Sequence, residues 1–345
     1  MSNPKVTIII PTYNCKIYIA NCLNSIFDQT CRDFQVLIVD NNSQDGTADF
    51  IRRNYPQANI IQNSKNLGFA KANNQGFRLT KSDFILLCNQ DIILEPTWLE
   101  AIMHAAEDGR YLRYGSFGGR LLKLKCLNIE VGDFQKSDLI DSCGLLVLKN
   151  HRVVELGAGE HRDNFLQRQE IFGQSGALAL LRREALEDVL IKDEDHINGD
   201  YFDGDFIYYK EDVDLAWRLR LRGWSSLLVP EAVAYHLRTL SGSEEDNIGR
   251  IIRSRSRKPN LAKYYSYRNH FLILLSDEYY ANLFHYLPQI LWYELMKFFY
   301  TLFFETRNLK AIAEILALSG KIRRKRKFIF SSAKISAQEI RKWYK

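Results

Sequence analysis

The chain has 345 residues, 46% hydrophobic and 26% charged, which is an ordinary globular composition and excludes a disordered or low-complexity protein. Its net charge of +6 is local: residues 320–345 hold ten Lys or Arg against one acid, and the rest is slightly acidic, so a nucleic-acid binder is not indicated. Six cysteines without CxxC spacing argue against a zinc site or a disulfide framework.

The first hundred residues alternate apolar β-branched runs with helical patterns. Strands are expected at 6–10, 36–39, 59–62 and 84–88, and helices at 18–29, 46–54 and 70–79. Continuous apolar strands separated by helices imply an α/β fold with a mostly parallel sheet flanked by helices. Ligands of such sheets sit beyond the carboxyl ends of the strands. Polar residues gather there: Thr12-Tyr13-Asn14, Asp40-Asn41-Asn42-Ser43 and Asn89-Gln90-Asp91. Residues 115–175 read as an antiparallel extension, followed by Ser175-Gly176-Ala177 and an acidic helix beginning near Glu211. Neither G-x-G-x-x-G nor G-x-x-x-x-G-K-[ST] occurs, which disfavours a nicotinamide dehydrogenase and a P-loop nucleotidase.

The character changes after residue 260. Residues 283–305 place Leu291, Trp292, Leu295, Met296, Phe298, Phe299, Leu302 and Phe303 on one helical face, and Gln289, Tyr293, Glu294, Lys297, Thr301 and Glu305 on the other. The longest uncharged run, 279–293, contains Pro288 and is short of the ~20 apolar residues of a spanning helix. The stripe fits a buried helix, a dimer contact or a membrane face. The basic run 321–327 beside it favours an anionic membrane surface. The chain starts straight into a strand without a signal-peptide layout, so the expected location is cytoplasmic, peripheral on the inner face of the cell membrane.

Five segments in order carry a resemblance: Ile10-Pro11-Thr12-Tyr13-Asn14; Asp40-Asn41-Asn42-Ser43 through Thr47; Asn66-Leu67-Gly68-Phe69 with Asn73-Asn74; Asn89-Gln90-Asp91; and Glu211-Asp212-Val213-Asp214. Together they resemble the motifs of family 2 glycosyltransferases of the GT-A fold, most closely the rhamnosyltransferase-like subgroup, and Arg268-Asn269 extends the match to about residue 275. The resemblance implies a catalytic domain over 1–260, with a nucleotide half at about 1–115 and an acceptor half at about 116–260. An amphipathic segment, 261–320, and a basic tail, 321–345, follow. The implied reaction is inverting transfer of a sugar, rhamnose favoured, from dTDP-rhamnose or a UDP-sugar to a hydroxyl of a lipid-linked or cell-surface glycan, assisted by Mg2+ or Mn2+. A galactofuranosyl- or other hexosyl-transferase is the alternative within the fold. Outside it stand a non-catalytic sugar-nucleotide binder, a membrane scaffold and a nucleotidyltransferase, the last lacking its Gly-rich basic loop. A homodimer is compatible with each.

The resemblance assigns Asp212 as general base with Glu211 helping to orient the acceptor. Pro11, Thr12, Tyr13, Asn14, Asp40, Asn42, Asn66, Gly68, Phe69, Asn74, Asn89 and Gln90 would bind the donor, the 66–69 loop by close backbone approach. Asp91 and His236 would bind the metal, with Asn89 standing where an acid often does. Ser175, Gly176 and Ala177 would line the acceptor side. Trp224 is either core or acceptor platform, and Arg182 and Arg183 are either acceptor-side or solvated. Asp214 lies two residues beyond Asp212 and points elsewhere on a helix, where it caps or pairs with Arg218.

Overall fold

The computed structural model describes residues 3–128, 133–192, 194–238 and 259–345. The expected strands form, extended by a residue or two: β1 (Val6–Thr12), β2 (Phe34–Asp40), β3 (Asn59–Gln62) and β4 (Phe84–Cys88), alternating with α1 (Ile19–Phe27), α2 (Thr47–Asn54) and α3 (Phe69–Leu79). These four strands are parallel, in the order β4-β1-β2-β3. After β5 (Ile92–Leu94) and α4 (Trp98–Glu107), the sheet grows on the β4 side. There β11 (Leu178–Arg182) runs antiparallel to β4, β6 (Tyr114–Asn128) antiparallel to β11, and β12 (Ser225–His236) parallel to β6. The predicted antiparallel extension is β6 with β7 (Asp133–Ser142), the hairpin of β8 (Leu145–Val147) and β9 (Val153–Glu155), and β10 (Gln169–Ile171), which pairs β12.

Both faces of the sheet are covered because its strands are apolar on both sides. Ile8 and Ile10 of β1 pack beneath α1, α2 and α4, while Ile9 points the other way, to α3, α5 (Arg183–Asp188) and α6 (Glu211–Leu221). Helix α6 is buried all round. Leu215 and Leu219 face the sheet, whereas Val213, Trp217 and Leu221 face a C-terminal layer. That layer comprises α7 (Asn260–Ser276), α8 (Tyr280–His285), α9 (Leu287–Phe304), α10 (Lys310–Ala317), α11 (Ser319–Ser331) and α12 (Ala337–Arg341). The last residue joins the β8–β9 edge through Lys345 N–H to Val147 O, 3.0 Å.

The expected basic tail is corrected here: residues 321–327 lie inside α11 and are mostly engaged by the protein. Lys325 is 4% exposed, with Nζ 2.7 Å from Asp203 and 2.5 Å from Asp214. Lys321 pairs with Asp205, Arg324 with Asp195, and Arg326 donates to the carbonyl of Glu278. These carboxylates come from the segment 195–214, more than a hundred residues away, so the local sequence gives no sign of them.

Candidate active site

Strand register assembles the site from distant segments. Antiparallel pairing of β12 with β5 sets His236 opposite Ile92, next to Asp91. His236 Nε2 lies 3.3 Å from Asp91 Oδ1, and its Nδ1 lies 2.9 Å from Asp141 Oδ2 at the end of β7. Burial works against charge on this imidazole, but the two flanking carboxylates raise it to about 9. Asp141 is held below its ordinary range despite burial by His236 and by Arg238, whose Nε is 2.5 Å away.

Arg238 also reaches Glu155 of β9, at 3.1 Å. Glu155 accepts from Ser142 Oγ at 2.6 Å and Ser175 Oγ at 3.4 Å. Burial pushes its carboxyl up to about 7 against the pull of Arg238, with Asp141 and Asp212 adding to the rise. Asp141, Glu155 and Arg238 were not anticipated as site residues. The turns at Asp141–Gly144 and Gly157–Gly159 marked their neighbourhood, but only the sheet register brings them to His236.

The second carboxylate centre arrives from the other side of the same strands. Asn89 N–H donates to Ala177 O at 2.8 Å, so the start of β11 lies against the end of β4. One residue earlier, Gly176 N–H donates to Asp212 Oδ2 at 2.8 Å, and Val213 N–H caps Oδ1 at 2.8 Å. A Cβ on Gly176 would sit 3.0 Å from Asp212 Cβ, so glycine permits this approach. Burial raises the Asp212 carboxyl above its ordinary value while the two N–H groups partly offset it. Glu211 is 7% exposed, its Oε2 has no partner, and burial together with Asp212 lifts its carboxyl well above the usual range.

The loop leading into α6 is wound unusually: Ile207, Tyr209 and Lys210 have φ of 59°, 67° and 70°. Such backbone costs energy unless its surroundings fix it. Asn269 of α7, fully buried, fixes it by directing Nδ2 at the carbonyls of Phe206, Tyr208 and Tyr209 at 2.8–2.9 Å. Arg268 adds a bond to Asp205 O at 2.7 Å.

The expected donor residues fall into two groups. Tyr13 is exposed beyond β1, its N–H bound to Gln90 Oε1 at 2.8 Å; Pro11, Asn14, Asn42 and Asn89 line the same rim. Others are turned inward. Asp40 is fully buried and accepts from Thr12 Oγ1 (3.0 Å), Ser43 N–H (3.0 Å) and Ser43 Oγ (2.5 Å), so it ties the two strand-end loops together. Asn74 is 1% exposed and bonds both backbone groups of Phe202. The close backbone approach at Gly68 (φ 84°) is made by the protein: a Cβ there would meet Ile207 O at 2.8 Å. Phe69 N–H donates to that same carbonyl and Asn66 Oδ1 accepts from Tyr208 Oη, locking the 66–69 loop to the 207–209 loop.

Of the two readings of Trp224, core or acceptor platform, its surroundings fit the core. It is 3% exposed, donates Nε1–H to Asp188, and is covered by Arg113. Arg182 and Arg183 are neither solvated nor at the acceptor side, since both cap backbone carbonyls, of Tyr114 and Ala106 and of Ser82 and Thr80. Asp214 pairs with Arg218 at 2.6 Å, on the α6 face away from Asp212. His196, Asp203 and Asp205 also cluster, their ligand atoms within 4.8 Å, but Lys325 and Lys321 already neutralise the two carboxylates.

The glycosyl transferase family 2 model matches residues 7–190, more than half of the chain. The chain belongs to this family. Among its relatives is the N-acetylglucosaminyl-diphospho-decaprenol L-rhamnosyltransferase of Mycobacterium tuberculosis, 27% identical over 242 residues, covering 66% of this chain and 75% of that protein. Chondroitin synthase of Escherichia coli is 37% identical over 100 residues, 28% of this chain and 14% of the synthase. The crystal structure of GalNAc-T7 with UDP, GalNAc and Mn2+ superposes with a TM-score of 0.51 at 13% identity, over 73% of this chain and 47% of that one, which is a likeness of GT-A fold. The rhamnosyltransferase is thus matched over most of its length and the synthase over a small part.

Proposed function

We propose that this family 2 member is an inverting glycosyltransferase that moves a sugar, rhamnose by preference, from a nucleoside-diphosphate sugar to a hydroxyl of a lipid-linked glycan. The observation carrying the reading is that two strand pairs, β12 with β5 and β4 with β11, bring the Asp91–His236 pair and the Asp212 carboxylate to one end of the sheet. The chemistry needs two charge-handling centres there. Asp212 takes the proton of the acceptor hydroxyl as its oxygen bonds the anomeric carbon; the carbon–oxygen bond to phosphate breaks on the opposite face and the nucleoside diphosphate departs with the electron pair. A carboxyl raised by burial is the stronger base for this step. Glu211, next to it with one unpartnered oxygen, positions the acceptor.

The leaving diphosphate develops negative charge, which a bound Mg2+ or Mn2+ neutralises. Asp91 and His236 would hold the ion, and the donor set fits one. Asp141 occupies Nδ1 and leaves Nε2 beside the Asp91 carboxylate, the arrangement of a metal-ligating histidine held by an outer carboxylate. A mixed nitrogen and oxygen set suits Mn2+ better than Mg2+. Tyr13, Asn14, Asn42, Asn89 and Gln90 would face the nucleotide, and Ser175 the acceptor. Asp40, Asn66, Gly68, Phe69 and Asn74 would act by fixing the loops that carry them. The rhamnosyltransferase relative favours dTDP-rhamnose; the name of the synthase and the UDP bound to GalNAc-T7 keep a UDP-sugar as the second donor.

Calorimetric titration of dTDP and UDP, each with and without Mn2+ or Mg2+, tests this reading. Metal-dependent binding of one diphosphate, lost in Asp91→Ala, is expected. Folded protein that binds neither overturns it.

A further inference from the structure

Helix α9 is turned inside out relative to an ordinary surface helix. Its polar side faces the protein: Glu294 and Lys297 are only 14% and 11% exposed. Glu294 Oε1 lies 2.7 Å from His270 Nε2, and Lys297 Nζ lies over the rings of Tyr267 and Tyr293. Its outer side carries Leu291, Trp292, Leu295, Met296, Phe299 and Phe303, with Trp292 70% and Phe303 71% exposed. Of its two expected faces, the apolar one points outward, which rules out the buried-helix alternative. Soluble proteins rarely leave so continuous an apolar surface uncovered.

We propose that this face docks on the interfacial zone of an anionic lipid bilayer, with α9 lying flat. Three features choose the bilayer over a second copy of the chain. At 100° per residue the outward apolar side chains span roughly 140° of the helix, wider than the narrow seam of a two-helix contact and suited to immersion. Over 279–313 neither acid is exposed, while Arg307 and Lys310 follow the helix exposed, matching anionic headgroups. Trp and Phe are the residues that settle at this depth. No helix among the described residues is long and apolar enough to cross a membrane, so the contact is peripheral.

The proposal deepens the reading of a lipid-linked acceptor, which it rests on for its purpose. Through His270, α9 braces α7 next to Asn269, the residue that fixes the loop entering the Glu211-Asp212 helix. Docking would set the acceptor end of the site toward the bilayer.

Flotation of the full chain with vesicles of phosphatidylcholine, with and without phosphatidylglycerol, tests the surface. Binding that strengthens with phosphatidylglycerol and weakens with salt is expected, with a blue shift of tryptophan emission that Trp292→Phe removes. The triple variant Leu295→Gln, Phe299→Gln, Phe303→Gln should lose at least ~10-fold in partitioning, and Arg307→Gln with Lys310→Gln roughly fivefold per cation. Both variants should keep the wild-type melting temperature and diphosphate binding, so failure here is separate from failure of the enzyme reading. Wild type that stays unbound, a triple variant that floats as well as wild type, or a dimer in sedimentation velocity that the triple variant dissolves without any vesicle binding would each overturn the proposal.

Discussion

Asn269→Ala isolates the support of the catalytic loop from the chemistry. Asn269 touches neither Asp212 nor Asp91, yet it serves three carbonyls of a loop in which Ile207, Tyr209 and Lys210 hold positive φ. Truncation removes the Asn269 amide from all three carbonyls and from Arg268 Nη1, which keeps its bond to Asp205 O, while Phe206 O keeps the N–H of Tyr208. Each buried unsatisfied group costs about 1–3 kcal/mol, though admitted water recovers part of the total. The loop strain, about 1–3 kcal/mol per residue, is released if the loop rearranges. A net shift of about 3 kcal/mol away from the competent loop follows, which corresponds to roughly 100-fold in kcat. Glu211 and Asp212 begin directly after the loop, so turnover should fall while diphosphate affinity, which we propose is set at the ends of β1 and β4, changes less than threefold. Steady-state transfer kinetics with diphosphate calorimetry on the same preparation reads both. Turnover within threefold of wild type would refute the assignment. A parallel loss of melting temperature and diphosphate binding would show a general folding defect instead.

Asp212→Asn should lower transfer by at least ~10²-fold, the range of general base catalysis, with diphosphate binding intact. Gly176→Ala places a Cβ 3.0 Å from Asp212 Cβ, and a roughly tenfold fall in kcat at unchanged stability is the expected kinetic result. Lys325→Met removes the buried cation shared by Asp203, Asp214 and Asp277, leaving Asp214 only Arg218, and should cost about 3–5 kcal/mol in urea unfolding. His270 is held neutral, its imidazole lowered to about 4 by burial with Lys297 adding. The unfolded chain binds a proton there below about 6.5, so acid favours unfolding. Stability should fall as pH drops from about 6.5 toward 4, by at most ~3 kcal/mol from this group, and His270→Gln should flatten that slope.

The four parallel strands β1–β4 were legible because they are continuous apolar runs between polar loops, signals that lie within ten residues of one another. Short motifs likewise put Asp91, Asp212 and Gly176 forward as site candidates. Asp141, Glu155 and Arg238 were not, since Asp141 reaches His236 only because β7 and β12 both pair β6, and Glu155 reaches Arg238 from the separate β8–β9 hairpin, some eighty residues earlier. Loop residues were misjudged where a polar side chain serves the protein's own backbone: Asn74 and Gly68 look like ligand contacts in sequence, but Phe202 and Ile207 take those places. Trp224 was undecidable from sequence, because nothing near it shows that Asp188 accepts its indole proton.

The basic run shows most clearly what pattern alone misses, and it bears on the site. Helix α6 presents Glu211 and Asp212 at its N-terminus, while a turn later its Asp214 bonds both Arg218 and Lys325. The C-terminal layer is therefore fastened to the helix that carries the proposed base. Asp203, held by Lys325, continues after one residue into Asp205, whose carbonyl Arg268 holds, and then into the loop that Asn269 clamps. Lys325 of α11 thus ties together the two ends of one segment, 203–214, and Asn269 of α7 clamps its middle. A substitution at Lys325 should accordingly disturb turnover as well as stability, whereas a charge removed from exposed Arg323, two residues earlier on the same helix, should disturb neither.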